Sequence, residues 1–237
     1  MPVELAPLIR TEDRFTVAVW RTLRQRATAL DRPTVERLAA GAGLRDEALE
    51  ALLHRSGELD EAGRLAGLGG LSTADHPHHL ILEGVALSAW CAWDPFFLVP
   101  ALGEGDATLE TSDPISGSAL AVQFADGAPV AASGVQPVLS MVRTRGDTDR
   151  SDKAGGDSAR PAGIEELWSS FCGLVHLFES PATAARFFDG RDAAFDLLSI
   201  PEAARLAEET HASILRAARD LRTAARGAEG RRRGETA

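Results

Sequence analysis

The sequence predicts an α+β protein: an N-terminal winged-helix-like helical domain over residues 1–78 and a mainly antiparallel sheet domain flanked by helices over residues 79–237. Two patterns predict this order. In the first part, apolar residues recur every four positions, the spacing of one helix face; they are Phe15, Val19, Leu23 and Ala27. In the second part, short apolar segments alternate with Gly, Pro and Asp, which is typical of strands joined by turns.

The N-terminal part has the outline of a helix-turn-helix. Helices are predicted over residues 34–40 and 45–54, separated by a glycine-rich break. Residues 57–72 are rich in Gly and Leu, which fits a hairpin or wing. The second helix carries three carboxylates and no lysine, the wrong charge for a DNA-reading helix. We therefore interpret this domain as a structural element.

The second part is predicted to be a sheet with flanking helices. A strand is predicted over residues 80–82, and an antiparallel meander over residues 107–111, 119–124 and 138–142. Further on, the pattern predicts a helix over residues 181–188, a strand over residues 195–200 and one amphipathic helix over residues 201–224. Residues 144–163 lack periodicity and predict a flexible insert, and residues 225–237 predict a disordered tail.

Three histidines, His76, His78 and His79, cluster before the strand at residues 80–82. Clustered histidines can bind metal, but adjacent positions of an extended chain point to opposite faces. A solvated loop is the simpler interpretation, and no site is assigned to it.

Composition and charge exclude several classes of function. The formal net charge of −10 disfavours nucleic acid and anionic membranes as partners. The longest apolar runs are interrupted by Asp94, Pro95 and Pro100, so no membrane span is predicted. The first ten residues lack the basic start and apolar stretch of a secretory signal, and we expect a cytoplasmic location. The two cysteines are therefore expected to be free thiols.

The functional residues are predicted around Cys91 and Asp94, which lie three positions apart in an apolar, tryptophan-rich stretch. Such surroundings raise the pKa of a carboxyl and favour its protonated form. Asp94-Pro95 also indicates a helix start, with Asp94 as its cap and Cys91 near its positive end. That arrangement would keep the carboxyl ionised and lower the pKa of the thiol. The sequence leaves both roles of Asp94 open.

The second cysteine, Cys172, lies in another apolar segment, and the two cysteines could converge on one pocket. The competing interpretation is core packing, because free cysteine is among the most buried residue types. Two sequence blocks favour a shared site. Residues 88–94 (SAWCAWD) and 170–178 (SFCGLVHLF) resemble, in the same order, the two signature blocks of the organomercurial lyases, or alkylmercury lyases.

The resemblance implies an enzyme that cleaves carbon–mercury bonds by protonolysis, giving a hydrocarbon and Hg(II). It implies that Cys91 and Cys172 bind the mercury, with Asp94 as a third residue at the metal, and that Asp94 relays the proton to the departing carbon. It implies no organic cofactor. External thiols are needed for turnover, and a mercuric reductase or small thiols are the expected partners.

Aromatic residues near these blocks are candidates for an apolar substrate pocket: Trp90, Trp93, Phe96 and Phe171. Ordinary core packing is the competing role for each of them. His176, four residues after Cys172, could orient that thiol or act as a core histidine.

Two other functions fit the same residues. One is a non-catalytic sensor or carrier, in which the thiolates bind a soft metal and the winged-helix-like domain signals to DNA. The other is a cysteine hydrolase that uses Cys91 as nucleophile and His176 as base.

Overall fold

The computed structural model describes residues 10–103, 105–134, 136–142 and 163–234. Its first elements are the helices α1 (Thr11–Arg26), α2 (Arg32–Ala42) and α3 (Asp46–Ser56). The local sequence sets the ends of α2. Asp31 caps its start by accepting a hydrogen bond from the Thr34 amide, and Gly43 ends it in the left-handed conformation that glycine adopts at little cost.

Eight strands form one sheet in the order β1-β2-β3-β5-β4-β6-β7-β8, and neighbouring strands pair antiparallel. In chain order they are β1 (Gly57–Leu59), β2 (Leu65–Leu68), β3 (Leu71–Ser72), β4 (His78–Leu82), β5 (Val85–Ala89), β6 (Asp106–Ser112), β7 (Ala119–Ala125) and β8 (Ala128–Ala132). Buried and exposed positions alternate along much of β6 and β7, as expected where one sheet face covers a core. The β1–β2 hairpin continues through β3 into this same sheet.

A second, three-stranded sheet has the order β10-β9-β11 and is also antiparallel. Its strands are β9 (Val138–Val142), β10 (Leu177–Phe178) and β11 (Phe195–Ser199). The remaining helices are α4 (Pro95–Leu102), α5 (Ile164–Ser170), α6 (Pro181–Phe188), α7 (Ile200–Thr210) and α8 (Ala212–Gly234). A single 3₁₀ turn, Cys172–Leu174, follows α5.

Helix α4 lies at the centre of the core. All of its residues except Pro100 are buried, and it contacts α1, α7, α8 and β8. A helix that is apolar on every side is stable only where other elements surround it. The chain that enters α4 contains Cys91 and Asp94, so the packing of this helix also fixes their position.

The predicted mixture of helices and antiparallel sheet is confirmed, with three differences in detail. Strand β9 pairs in the second sheet, so its placement in the meander was wrong; the third strand of the meander is β8, whose Ala-rich sequence gives little strand signal. The predicted helix over residues 201–224 is two helices, because the chain turns at His211 between α7 and α8. The backbone of α8 is helical to Gly234, through most of the tail that was predicted to be disordered.

The flexible insert predicted at residues 144–163 lies outside the described residues, apart from Gly163. Among the described helices, none has both the length and the apolar character that a membrane span requires.

Candidate active site

Cys91 lies in the short connection between β5 and α4 and is fully buried. Both flanking elements hold this connection. On one side, the Trp90 amide donates a hydrogen bond to the Gly70 carbonyl, 3.0 Å away. On the other side, the Asp94 amide donates a hydrogen bond to the Cys91 carbonyl, 3.3 Å away. Backbone hydrogen bonds on both sides of Cys91 therefore fix its position.

Asp94 immediately precedes α4, and Pro95 takes the first helical position, as the sequence indicated. Its side chain does not cap the helix, however. It turns back, and its Oδ2 accepts a hydrogen bond from the Cys91 amide, 2.8 Å away. Of the two roles that the sequence left open, the cap does not form, because the backbone of Asp94 is already helical, whereas a capping residue has an extended backbone.

Gly70, in the turn between β2 and β3, makes room for this carboxyl. A Cβ atom at Gly70 would lie 2.9 Å from the Asp94 Cγ, which is too close for a side chain. The backbone of Gly70 also has a φ of +105°, a conformation that L-residues rarely adopt. Both observations require glycine here, and the first depends on the position of Asp94.

Cys172 begins the 3₁₀ turn after α5 and is buried. A backbone hydrogen bond of 3.2 Å, from the Ala92 amide to the Val175 carbonyl, joins its segment to that of Cys91. The Cys172 side chain lies close enough to the Cys91 thiol to raise the pKa of that thiol. Ser140 of β9 holds this turn, because its hydroxyl donates a hydrogen bond to the Leu174 carbonyl, 2.7 Å away. The structure thus brings together the two cysteines and Asp94.

Burial dominates the electrostatics of this group. It raises the pKa of Asp94 to about 7, although hydrogen bonds from the backbone and side chain of Cys91 act in the opposite direction. Burial, the Cys172 contact and the Asp94 charge raise the pKa of the Cys91 thiol well above its usual range. The expected lowering of this pKa by α4 is therefore wrong, because desolvation outweighs the helix end. At rest, Cys91 is a thiol.

The arrangement has the donors that a soft metal ion needs, but it is not a ready-made cage. Among the described residues, no group of three or more His, Cys, Asp or Glu side chains forms a metal site. Two thiols in contact can bind a thiophilic ion once they lose their protons, and a carboxyl is a poor competitor for such an ion. The geometry favours two sulfur ligands with Asp94 free to handle protons.

The aromatic candidates surround the site to different degrees. Trp90 and Trp93 flank Cys91, and the Trp93 indole donates to the Ala203 carbonyl of α7 at 3.1 Å. Phe171 adjoins Cys172, and its ring centroid lies 6.3 Å from that of Trp93. Phe96 turns toward Phe124 of β7, with centroids 5.5 Å apart, so its ring is part of the sheet-facing core.

His176 packs among aromatic rings and its Nε2 bonds the Gly173 carbonyl at 3.0 Å, rather than the Cys172 thiol. The solvated-loop interpretation of the upstream histidines is wrong for two of them. His78 is a buried residue of β4, bonded to the Thr111 hydroxyl, and burial lowers its pKa to about 3. His76 bonds Glu58, and His79 is exposed. Alternating strand faces explain the difference between His78 and His79.

Sequence reasoning missed three residues that shape the site: Glu58, Gly70 and Ser140. Glu58 is a carboxylate in a three-residue strand, and Ser140 is a polar residue in an apolar one, so each was a candidate for a buried partner. Gly70 belongs to a Gly-Gly pair, which signals a turn but not a neighbouring carboxyl. Their partners lie too far along the chain for spacing to reveal.

Comparison with known proteins bears on this constellation of two thiols and a carboxyl. The family model "MerB: Alkylmercury lyase" matches residues 71–154, which include Cys91 and Asp94. The chain is 28% identical to the alkylmercury lyase of Bacillus cereus over 173 residues, 72% of this chain and 71% of that protein. It is 29% identical to the alkylmercury lyase of Staphylococcus epidermidis over 168 residues, 70% of this chain and 69% of that protein.

A solved structure shares the fold. The crystal structure of the mercury-bound form of MerB2 aligns with a TM-score of 0.65 at 17% identity, covering 89% of this chain and 94% of that one. The fold and site therefore define a mixed helix and antiparallel-sheet protein with a buried dithiol. The predicted resemblance to the alkylmercury lyases is confirmed.

The raised pKa of Asp94 predicts how stability depends on pH. Between about pH 4 and pH 7 the unfolded chain has lost this proton and the native protein keeps it, so native stability falls as pH rises through this window. Replacing Asp94 by Asn should abolish up to about 4 kcal/mol of this fall. Urea unfolding of both proteins from pH 4 to pH 8 measures it. The exposed Asp189→Asn is the control, and identical profiles for wild type and Asp94→Asn would contradict the assignment.

Gly70→Ala should destabilise the protein through its contact with Asp94. Gly84→Ala is the matched control, because Gly84 also has a positive φ but has open space where a Cβ would lie. Both substitutions strain the backbone, and only the first also forces a methyl group against the carboxyl. We expect Gly70→Ala to lower the free energy of unfolding by about 2 kcal/mol more than Gly84→Ala. Equal losses in urea titrations would show that Asp94 does not press on Gly70.

Proposed function

We propose that this protein is an organomercurial lyase that cleaves carbon–mercury bonds by protonolysis, with Cys91 and Cys172 binding mercury and Asp94 relaying the proton. The observation that carries the proposal is the contact between two buried thiols beside a carboxyl whose pKa is about 7. Similarity to alkylmercury lyases over 70% or more of the chain supports it.

Capture begins with exchange at sulfur. An organomercurial arrives bound to a small thiolate, and one protein cysteine replaces that thiolate, which leaves as the free thiol. Burial keeps Cys91 protonated at rest, so metal binding must drive out the proton. Thiolates outcompete water and carboxylate for a soft ion, which makes the mercury–sulfur bond the driving force of this step.

Cleavage follows when the second thiol binds. Its proton passes to the Asp94 carboxylate as its sulfur joins the mercury, and the added electron density weakens the bond from mercury to carbon. Asp94 then gives this proton to the carbon, which takes the electron pair of the breaking bond. The products are a hydrocarbon and Hg(II) held by both sulfurs, and Asp94 is again ionised.

Asp94 suits this relay for two reasons. A pKa of about 7 lets the carboxyl both accept and release a proton near neutral pH. Its Oδ2 is held by the Cys91 amide, 2.8 Å away, so the group that moves the proton lies beside the sulfur that binds the metal. A carboxyl is also too hard a ligand to retain mercury in place of the thiolates.

The organic group of the substrate would lie against the indole rings of Trp90 and Trp93 and the ring of Phe171, which flank the cysteines. His176 is proposed as a packing residue, because its ring nitrogen bonds a carbonyl. Hg(II) leaves by exchange with two external thiols, which restores both protein thiols; small thiols or a mercuric reductase are the proposed acceptors, in the cytoplasm.

The proposed division of the chain keeps residues 1–78 as a winged-helix-like unit and residues 79–237 as the catalytic unit. The order of α1, α2, α3 and the β1–β2 hairpin supports the first assignment. That order also favours the second candidate function, a soft-metal sensor or carrier with the same two thiols. The two functions differ in whether a hydrocarbon is released.

Incubation of the purified protein with phenylmercury and excess thiol tests the function. We expect benzene release by the wild type, near-complete loss in Cys91→Ser and Cys172→Ser, and a reduction of about 100-fold or more in Asp94→Ala with mercury binding retained. Asp189→Ala, an exposed carboxylate, is the control. Gas chromatography measures the product. Stoichiometric binding without benzene would establish the carrier instead, and full benzene release by Cys172→Ser would contradict the proposed role of Cys172.

A further inference from the structure

Glu58 of β1 is a buried carboxylate that has no part in the proton relay described above. Only 7% of the residue is exposed, and its two oxygens have separate partners. Oε1 is 2.9 Å from the His76 Nε2, and Oε2 accepts a hydrogen bond from the Trp90 indole N–H at 2.9 Å. The Ser72 side chain is a third partner. A carboxylate this buried is costly unless such partners are present.

The surrounding backbone is built to accept this side chain. A Cβ atom at Gly67 would lie 2.6 Å from the Glu58 Oε2 and 2.8 Å from the Leu71 carbonyl oxygen, so the facing position of β2 has to be glycine. The pairing of β1 with β2 shifts register between Glu58 and Leu59, an irregularity that re-aims a side chain. Burial would raise the pKa of Glu58, but its hydrogen bonds with His76, Ser72 and Trp90 outweigh burial and lower it.

Glu58 reaches the reaction site through Trp90, the residue before Cys91. The backbone amide of Trp90 is bonded to the Gly70 carbonyl and its indole N–H is bonded to Glu58, so the residue is held at both ends. The Trp90 ring meets the ring of Trp168 edge to face, with centroids 5.8 Å apart. Trp168 lies in α5, whose C-terminal end leads into the turn that carries Cys172.

The aromatic pair therefore spans the two segments that carry the thiols. The His76 ring also packs on Trp168, with centroids 5.6 Å apart, so both residues of the pair touch the Glu58 cluster. An indole N–H donated to a fixed, buried acceptor allows one ring orientation, and a ring without that bond can turn. The Glu58 carboxylate thus fixes the orientation of the Trp90 ring.

We propose that Glu58 is a positioning residue of the reaction: by holding the Trp90 indole, it fixes the apolar wall beside Cys91 and Cys172 and thereby favours bulky organic groups. This inference rests on the proposed function. It also means that the β1–β3 segment, which the sequence predicts to be a hairpin or wing, forms part of the wall of the site.

A double-mutant cycle separates this role from simple structural support. Glu58→Leu removes both acceptors at similar volume, and Glu58→Gln keeps an acceptor for Trp90 while removing the charge. Trp90→Phe keeps an aromatic ring and removes the N–H that Glu58 accepts. Each variant is made in the full chain, and kcat/KM is measured for phenylmercury and methylmercury. The exposed Glu110→Gln is the control.

We expect Glu58→Leu to lower kcat/KM for phenylmercury about tenfold, from the loss of one charged hydrogen bond. The loss for methylmercury should be smaller, because a methyl group contacts little of the wall. Glu58→Gln should stay within about threefold of wild type, and in the Trp90→Phe background Glu58→Leu should change kcat/KM less than about twofold. Equal losses in both backgrounds, or equal losses for both substrates, would overturn the proposal.

Two further readouts keep the test decisive. If Glu58→Leu does not fold, Trp90→Phe alone must reproduce the preferential loss for phenylmercury, and an unchanged preference overturns the inference. If the wild type binds organomercurials but releases no hydrocarbon, the proposed function fails, and the same cycle is measured on dissociation constants in competition with a small thiol. In that case Glu58→Leu should weaken the binding of phenylmercury more than that of methylmercury, and this difference should disappear in the Trp90→Phe background. Any other result would refute the role of Glu58.

Discussion

The hydrogen bond from the Ala92 amide to the Val175 carbonyl is the contact on which the site depends. It joins two segments that are distant in the sequence and closes the space between Cys91 and Cys172. The segments are held from outside by the buried helix α4 and by Ser140 of β9. Because a backbone hydrogen bond leaves the two segments little freedom to move apart, it keeps the two cysteines close together.

Burial explains why this group of residues is suited to proton transfer. In water a carboxyl would be ionised at neutral pH, but in this apolar interior the pKa of Asp94 rises to about 7 and the Cys91 thiol keeps its proton. Asp94 and Cys91 therefore both hold protons near neutral pH, and formation of a metal–sulfur bond can release them. Gly70 makes this possible, because a side chain at this position would displace the Asp94 carboxyl.

Much of the fold could be predicted from local patterns, and less of the site. Periodicity located α1, the glycine-rich break separated α2 from α3, and the two apolar blocks contain both cysteines. The capping role of Asp94 could not be decided, because it depends on whether the carboxyl turns toward the helix or back to the Cys91 amide. The pairing of β9 with β10 and β11, and the bond from Glu58 to Trp90, depend on contacts between distant residues that no spacing encodes.

The central claim is that two distant sulfurs meet on one metal ion. X-ray absorption of the one-to-one complex with Hg(II), prepared without external thiol, tests it most directly. We expect two sulfur neighbours at the mercury in the wild type and one in Cys172→Ser. A single sulfur neighbour in the wild type, with an unchanged spectrum in Cys172→Ser, would contradict the account.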